Sequence, residues 1–302
     1  FNLLVQYRKS LLNRLGGEWL TEFQVGQDTH LFSEFYQPLH DSGIWFGSLY
    51  GQVGQTTQGV FNGDARIAEY LAGTARAGVD LGRVFGTFGA MRAGLVWTQV
   101  NARVETGDPV LPTVRELTAA GRLQLTLDQL DHPWFPQDGY GLNVSFYGAT
   151  TALGSALDYQ RLQGQGSFVK SWGSHTVNLF VSGGTDFGSE MPAYETFNLG
   201  GPLRLSGFRL NQFTGRDFAF GRAMYYNNIF PLPELLGYGV FAGASAEVGT
   251  IRNRADGLPS PTGTLFSGSV FLGANTVAGP GYLGAGFGNS GAFSVFLLLG
   301  AP

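Results

Sequence analysis

Apolar and polar residues alternate one by one along many segments of this chain. Within residues 121–130, for example, Leu123, Leu125 and Leu127 fall on one face, and the polar residues between them fall on the other. A period of two residues is that of a β-strand, whose successive side chains point to opposite faces. The pattern recurs in about 15 segments, so the sequence predicts an all-β fold. The predicted strands lie near 1–9, 18–27, 30–39, 44–54, 65–82, 88–104, 115–130, 140–153, 157–171, 175–187, 217–230, 238–252, 263–275, 281–288 and 292–300.

The polar faces of these strands carry few charges, which separates a membrane barrel from a soluble β-sandwich. Charged residues make up 13% of the chain, against about 25% in soluble domains. No run of about 18 apolar residues predicts a transmembrane helix, whereas strands of about 9–11 residues are enough to cross a bilayer. The sequence therefore predicts a transmembrane antiparallel β-barrel, formed by residues 1–302 as a single domain.

The number of strands bears on whether the barrel is whole. Bacterial single-chain barrels have even strand numbers, and about 15 strands are visible. Either one strand escapes the pattern or the first lies upstream of Phe1, so we expect a barrel of about 16 strands. Phe1 is not a natural start and no signal peptide is visible, so we expect this chain to be a fragment of a longer polypeptide.

The sequence offers little for catalysis or for binding metals, cofactors or nucleic acid. It has no cysteine and only four scattered histidines, and none of them has the spacing of a metal site. It lacks a G-x-S-x-G motif, and the literal G-x-G-x-x-G at 279–284 does not precede a helix-like segment. A net charge of −4 argues against nucleic-acid binding. We expect no catalytic, cofactor or metal site, and keep a lipid-hydrolysing barrel as a rival.

The longest interval between predicted strands, about 188–216, contains the apolar, glycine-rich stretch FNLGGPLRLSGF (197–208). Its glycines and proline disfavour helix and strand, while its apolar residues disfavour free exposure to water. A barrel of about 16 strands has a wide lumen, where such a loop would be shielded from lipid. Arg204 and Arg209 are then candidates to pair with Glu247 on a later strand. The alternative is a surface loop with no partner.

This loop resembles the sixth extracellular loop of the outer-membrane assembly and two-partner-secretion barrels. In that superfamily the loop carries a Val-Arg-Gly-Phe/Tyr motif, which folds into the lumen and contacts an acidic residue in the next-but-one strand. Ser206 stands at the position of the motif arginine, so the resemblance implies that Arg204 or Arg209 replaces it opposite Glu247. The residues of this lumen-loop motif are Phe197, Gly200, Gly201, Arg204, Leu205, Ser206, Gly207, Phe208 and Arg209.

A second segment, DHPWFPQDG (131–139), resembles the superfamily's periplasmic turn, D-x3-F-P-x2-G. The alternative is an ordinary tight turn, in which proline and glycine are common. The resemblance implies that this turn faces the periplasm and that the loops at 188–216 and 104–115 face outside. The motif positions are Asp131, Phe135, Pro136 and Gly139.

The serine variant of the loop, with LNRLGGEW (12–19) and FSEFYQPL (32–39), most resembles the barrels of type Vd autotransporters of the patatin-like PlpD type. In that family a signal peptide precedes a patatin-type phospholipase passenger, one POTRA domain and a 16-stranded barrel. The resemblance implies that this chain exports its own upstream passenger across the bacterial outer membrane. The alternatives are an outer-membrane insertase, a two-partner-secretion translocator for a separate partner, and a passive porin.

The same resemblance implies the partners of the chain. These are outer-membrane lipids, the upstream passenger and POTRA segment in cis, and the barrel-assembly machinery. The sequence leaves the oligomeric state open, with a homodimer as one candidate. It also leaves open whether export uses the lumen or a lateral seam between the first and last strands.

Six aromatic residues near predicted strand ends are expected to form girdles at the two membrane interfaces. The alternative is ordinary packing between strands. The six are Trp45, Phe46, Trp97, Trp134, Trp172 and Tyr282.

Overall fold

A computed structural model describes residues 2–26, 28–62, 65–107, 113–232, 237–254, 263–277 and 279–300. Strands dominate it, with three single-turn 3-10 helices at Thr151–Leu153, Ala193–Glu195 and Asn289–Gly291. The strands are β1 (Asn2–Lys9), β2 (Glu18–Gly26), β3 (Asp28–Pro38), β4 (Trp45–Asn62), β5 (Ala65–Phe85), β6 (Gly89–Gly107), β7 (Val114–Asp128), β8 (Asp138–Ala149), β9 (Tyr159–Trp172), β10 (His175–Thr185), β11 (Phe197–Leu199), β12 (Phe213–Gly215), β13 (Asp217–Phe230), β14 (Gly237–Arg252), β15 (Leu265–Thr276), β16 (Gly279–Gly288) and β17 (Phe293–Leu299).

One antiparallel sheet of 15 strands forms the wall, and its strand order follows the chain. The short strands β11 and β12 lie outside this sheet and pair only with each other. Within the described ranges, β1 and β17 are the two edge strands of the sheet, with no ladder between them. The predicted all-β antiparallel architecture is confirmed, and each strand of the large sheet lies beside the next strand of that sheet along the chain.

The predicted strand positions agree with the observed ones to within a few residues, with β4 as the main departure. The alternation predicted that this strand ends near residue 54, but it continues to Asn62 and pairs along its length with β5. Residues 55–62 are mostly polar or glycine. This part of the strand therefore carries no apolar alternation from which its length could be predicted.

The outer face of the sheet is apolar over much of its area. On β17, Val295 is 69% exposed and Leu297 is 70% exposed, whereas Phe296 between them is only 7% exposed. The same alternation of outward apolar and inward side chains is typical of strands that face lipid on one side and a lumen on the other. Among the helices described, none is both long and apolar enough to cross a membrane.

Two of the six aromatic residues expected at the membrane interfaces lie elsewhere. Phe46 and Tyr282 are buried inside the barrel, with 1% and 3% of their surface exposed. Trp45 and Trp172 are exposed on the outside, as a girdle requires. The error at Phe46 follows from strand geometry, because adjacent residues on a strand point to opposite faces and Trp45 already points outward.

Two connections matter for function, and they leave from opposite ends of the barrel. One is the β7–β8 turn (129–137), and the other is the β10–β13 loop (186–216). The turn joins the seventh and eighth strands of the sheet, and the loop joins the tenth and eleventh. In an antiparallel meander, successive connections alternate between the two ends. The turn is the seventh connection of the sheet and the loop is the tenth, so they lie at opposite ends.

Candidate functional site in the barrel lumen

The first half of the β10–β13 loop crosses to the wall formed by β7 and β9. The Tyr194 hydroxyl donates a hydrogen bond of 2.8 Å to Oε2 of Glu116 on β7. The guanidinium carbon of Arg161 on β9 lies 4.6 Å from the centre of the Phe197 ring. The loop leaves from β10, so these contacts reach the neighbouring strand β9 and, two strands further along the sheet, β7. The loop is therefore folded into the lumen, as predicted, and does not stand out in solvent.

The β11–β12 ribbon then closes an inner hairpin, residues 200–212, whose shape depends on two glycines. Gly200 and Gly201 have φ angles of +114° and +112°, which side chains other than glycine rarely allow. A Cβ atom on Gly200 would lie 2.4 Å from the carbonyl oxygen of Arg209. The Gly200 amide donates to the Arg204 carbonyl oxygen at 3.0 Å. These glycines let the two arms of the hairpin approach closely enough to enter the lumen.

The tip of this hairpin binds the buried carboxylate of Glu247 on β14. The Ser206 amide donates to Oε2 at 2.6 Å, and the Ser206 hydroxyl donates to Oε1 at 2.7 Å. Ser245, on the same strand, donates to Oε1 at 2.6 Å. Ser206 is fully buried and Glu247 is 4% exposed. The residue at the position of the motif arginine thus contacts the acid itself, through a hydroxyl and a backbone amide.

Arg204 and Arg209 lie away from this carboxylate, contrary to expectation. Arg204 donates to the carbonyl oxygen of Asn198 at 3.4 Å, and Arg209 is exposed. Within the described part of the chain, neither arginine forms an ion pair with Glu247. The prediction that Arg204 or Arg209 takes the place of the motif arginine opposite Glu247 is therefore wrong.

The positive charge beside Glu247 comes from the barrel wall. Arg222 on β13 is the direct cross-strand partner of Glu247 and interacts with it electrostatically. Its Nη1 atom also donates to the carbonyl oxygen of Leu203 in the loop, at 3.0 Å. Directly opposed side chains on paired strands lie close enough for opposite charges to attract. Because the wall supplies this cation, the loop needs only a short neutral donor at position 206.

The loop tip rests directly on the backbone of β16. A Cβ atom on Gly286 would lie 2.1 Å from the Ser206 carbonyl oxygen. The Gly207 amide donates to Oγ of Ser267 on β15 at 2.8 Å. The hydroxyl of Ser294 on β17 donates to the Ser206 carbonyl oxygen. The tip therefore contacts β14, β15, β16 and β17, and the last of these is an edge strand of the sheet.

The β7–β8 turn also folds inward and reaches the same side of the barrel. Phe135 is 3% exposed, and its ring stacks on Phe241 of β14 at 4.4 Å and on Tyr282 of β16 at 4.9 Å. The hydroxyl of Tyr226 on β13 donates to the carbonyl oxygen of Pro136. Phe135 is thus an anchor that crosses one end of the lumen.

The other two motif residues shape the turn that carries Phe135. The Asp131 carboxylate accepts a hydrogen bond of 2.8 Å from the Gln137 amide. Gly139 has a φ angle of +114°, and a Cβ atom there would lie 2.0 Å from the carbonyl oxygen of Gln129. The motif therefore contains one anchoring ring, a proline carbonyl that accepts a hydrogen bond, and two residues that fix the backbone.

The loop and the turn, which enter from opposite ends, meet in one apolar cluster. Sequence reasoning placed both segments but did not reveal this contact, because no local pattern links residues so far apart in the chain. In the part of the chain described, no group of three or more potential metal ligands occurs. The cluster consists of Phe135, Leu203, Met224, Tyr226, Phe241, Phe271, Tyr282 and Phe296.

Comparisons with known proteins agree with this arrangement. Residues 18–279 match the Omp85 superfamily domain. The fold is similar to BamA from Haemophilus ducreyi lacking POTRA domains 1–3, with a TM-score of 0.76 and 15% identity over 98% of this chain and 66% of that one. It is also similar to CdiB from Escherichia coli, with a TM-score of 0.68 and 14% identity over 98% of this chain and 58% of that one.

CdiB from Acinetobacter baumannii shares the fold as well, with a TM-score of 0.62 and 11% identity over 96% of this chain and 56% of that one. The chain thus spans between 56% and 66% of the length of these three structures. A search of curated protein sequences returned no significant match. At identities this low, the similarity to solved structures establishes the fold, and the domain match establishes the family.

The domain match runs from the first residue of β2 to the first residue of β16, and it includes the turn, the loop and Glu247. Bacterial barrels of this family lie in the outer membrane, and the apolar outer surface of the sheet agrees with that location. This chain belongs to the Omp85 superfamily and is a β-barrel of the bacterial outer membrane.

Proposed function

We propose that this barrel moves a polypeptide across the outer membrane, and that the polypeptide is a patatin-like passenger located N-terminal to it in the same chain. The observation that carries the proposal is the loop tip seated on β14–β17 through Ser206 and Glu247. This tip fills the lumen beside an edge strand, so its displacement would clear a path. The serine variant of the motif is the feature that links the chain to type Vd autotransport.

The chemistry around Glu247 suits a plug that must leave and return. Removing one partner of a buried ion pair leaves an uncompensated charge, which costs about 3–5 kcal/mol. Here the cation, Arg222, stays in the wall when the loop leaves, so Glu247 keeps an opposite charge beside it. The loop tip loses hydrogen bonds and packing, but it strands no charge.

A second candidate is an insertase, or a translocator for a separate partner protein. The similarity of the fold to BamA and to CdiB supports this candidate. Displacement of the loop tip would serve it equally, because Ser294 joins the tip to the edge strand β17. The two candidates differ in whether an N-terminal segment of the same polypeptide reaches the cell surface.

The test uses the full-length protein in a Gram-negative host. Leu205→Cys and Gly249→Cys are introduced together, since Cδ1 of Leu205 lies 3.3 Å from the Cβ position of Gly249. Residues 1–302 contain no cysteine, so within the barrel a short thiol crosslinker would join these two introduced sites. We expect the tether to keep the passenger in the periplasm, whereas the Gly249→Cys single variant exports it normally.

Surface exposure of the passenger is read by protease digestion of intact cells. Export that continues with the tether fully formed would contradict the proposed role of the loop. A wild-type passenger that never leaves the periplasm, with loss of other folded outer-membrane barrels on depletion of this protein, would support the insertase instead.

A further inference from the structure

The opposite wall of the lumen, formed by β3–β7, carries a set of paired charges. Arg92 on β6 donates to Oε1 of Glu34 on β3, and Arg122 on β7 donates to Oδ2 of Asp80 on β5. The side chain of Asp80 is fully buried and that of Glu34 is 11% exposed. Each of these two arginines is therefore balanced by a carboxylate of the wall itself.

Aromatic rings hold the two arginines in place. The guanidinium of Arg122 lies 4.8 Å from the centre of the Tyr50 ring, and that of Arg92 lies 5.1 Å from the centre of the Phe46 ring. Beneath the Tyr50 ring is Gly78, where a Cβ atom would come within 2.2 Å of the ring's hydroxyl. Rings seated on glycine and covered by guanidinium groups form a rigid, preorganised surface.

A third arginine on this wall, Arg76 on β5, differs from the other two. Its Nε atom donates to Oγ1 of Thr98 at 3.2 Å. Among the described residues, no carboxylate lies within ion-pair distance of Arg76, and none accepts from its terminal nitrogens. Within the described ranges, Arg76 thus presents its guanidinium fork without a balancing acid.

Arg76 lines a lumenal cavity of about 490 Å³, together with Arg92 and Arg122. Tyr50 lines the same cavity and is 6% exposed, yet its hydroxyl has no hydrogen-bond partner in the described part of the barrel. Glu34 and Asp128 line the cavity as well, but among the described residues neither is within ion-pair distance of Arg76. A planar guanidinium fork binds a carboxylate through two parallel hydrogen bonds.

We propose that this cavity is a subsite for the carboxylate of an aspartate or glutamate side chain in the polypeptide that passes through the barrel. Arg76 binds the carboxylate through its terminal nitrogens, and the Tyr50 side chain forms part of the cavity wall beside it. The two wall pairs, Arg92 with Glu34 and Arg122 with Asp80, hold the cavity open and lie on its flanks. The inference rests on the proposed transport of a polypeptide, but its test does not depend on export.

The test measures peptide binding to the purified barrel in detergent. Two ten-residue peptides of glycine and serine are compared, one with a central glutamate and one with a central glutamine, each with a photoreactive residue beside it. We expect the glutamate peptide to bind at least roughly tenfold more tightly and to crosslink to residues lining the cavity. Arg76→Gln should abolish this preference, and Arg76→Lys should keep part of it.

Arg83→Gln is the matched control, because Arg83 is on the same strand but exposed on the outer face beside Trp45. It should leave the preference for glutamate unchanged. Equal binding of the two peptides, or an unchanged preference in Arg76→Gln, would overturn the subsite. A preference that depends on Arg76 in a protein that exports no passenger would uphold the subsite and count against the export function alone.

Discussion

The two walls of this lumen, β3–β7 and β13–β17, are filled in different ways. On β13–β17 the wall is covered by segments from elsewhere in the chain, namely the loop tip at Ser206 and the ring of Phe135. On β3–β7 the wall covers itself, with arginine and acid side chains layered over aromatic rings. The difference teaches that a polar barrel interior can be stabilised either by distant inserts or by its own cross-strand charges.

Both walls contain glycines that allow a close contact, but the group in contact differs. Gly286 on β16 lies under a backbone carbonyl of the loop, and Gly78 on β5 lies under the ring of an adjacent strand. The first glycine makes room for a loop that must leave under the proposed function, whereas the second makes room for a ring that belongs to the wall. We therefore expect mutations to lower the stability of the two walls for different reasons. In β13–β17 the loss should come from contacts with the inserted loop and turn, and in β3–β7 it should come from broken charge pairs.

The largest effect is expected at the anchor of the turn. Phe135→Ala should lower the free energy of unfolding by about 3–5 kcal/mol, because it empties a packed aromatic cluster. Phe88→Ala, in the short turn of the opposite wall, should cost about 0.5 kcal/mol, since Phe88 is 45% exposed. Urea unfolding in lipid vesicles measures both values, and equal losses would contradict the distinction between the walls.

A somewhat smaller effect is expected in the charged wall. Asp80→Ala should cost about 3 kcal/mol, because it leaves the guanidinium of Arg122 without its buried partner. The exposed pair of Lys170 and Asp138 serves as the control, and Asp138→Ala should cost about 0–1 kcal/mol. The same unfolding assay applies. If both variants lose the same small amount, the charged pairs do not hold this wall together.

The contact of the loop with β16 is expected to be sensitive to a single methyl group. Gly286→Ala should cost about 1–3 kcal/mol and make the loop more susceptible to protease, because the new Cβ would strike the Ser206 carbonyl. Gly121→Ala on β7 is the matched control, since its Cβ would meet no atom within 4 Å. Protection of the loop that is identical in both variants would show that the tip does not depend on this close approach.

The smallest predicted effect comes from moving the arginine from the wall, at position 222, to the loop, at position 206. Ser206→Arg brings a second guanidinium toward Arg222 and should destabilise the loop tip, whereas adding Arg222→Ser should recover about 1 kcal/mol. A double-mutant cycle on the unfolding free energy measures this coupling. Strictly additive effects would mean that Arg222 is not the cation that balances Glu247.

Alternation along the chain was enough to predict the strands, because lipid and lumen impose opposite demands on successive residues. Leu123, Leu125 and Leu127 show this directly, since each lies within β7 at the predicted period. The extension of β4 to Asn62 could not be predicted because residues 55–62 are mostly polar or glycine and show no apolar alternation. Burial of Phe46 was missed because an aromatic residue at a strand end fits either face.

The sequence predicts the outline of the site correctly, but the prediction is wrong about which residue supplies the positive charge. The loop, its tip and Glu247 were found from a motif that survives in the sequence. The source of the positive charge was not, because Arg222 meets Glu247 only through the register of β13 against β14. The landing place of Phe135 was hidden for the same reason, since stacking on Phe241 joins residues far apart in sequence.

The Ser294–Ser206 contact has a consequence for how the barrel is assembled. The ion pairs of the β3–β7 wall join residues 42 and 58 positions apart, whereas the bonds of Tyr226 to Pro136 and of Ser294 to Ser206 span 90 and 88 positions. Contacts between distant residues form slowly, so the charged wall should mature before the covered one. The loop tip can bond to β17 only after that strand arrives, and its docking would mark the barrel as complete.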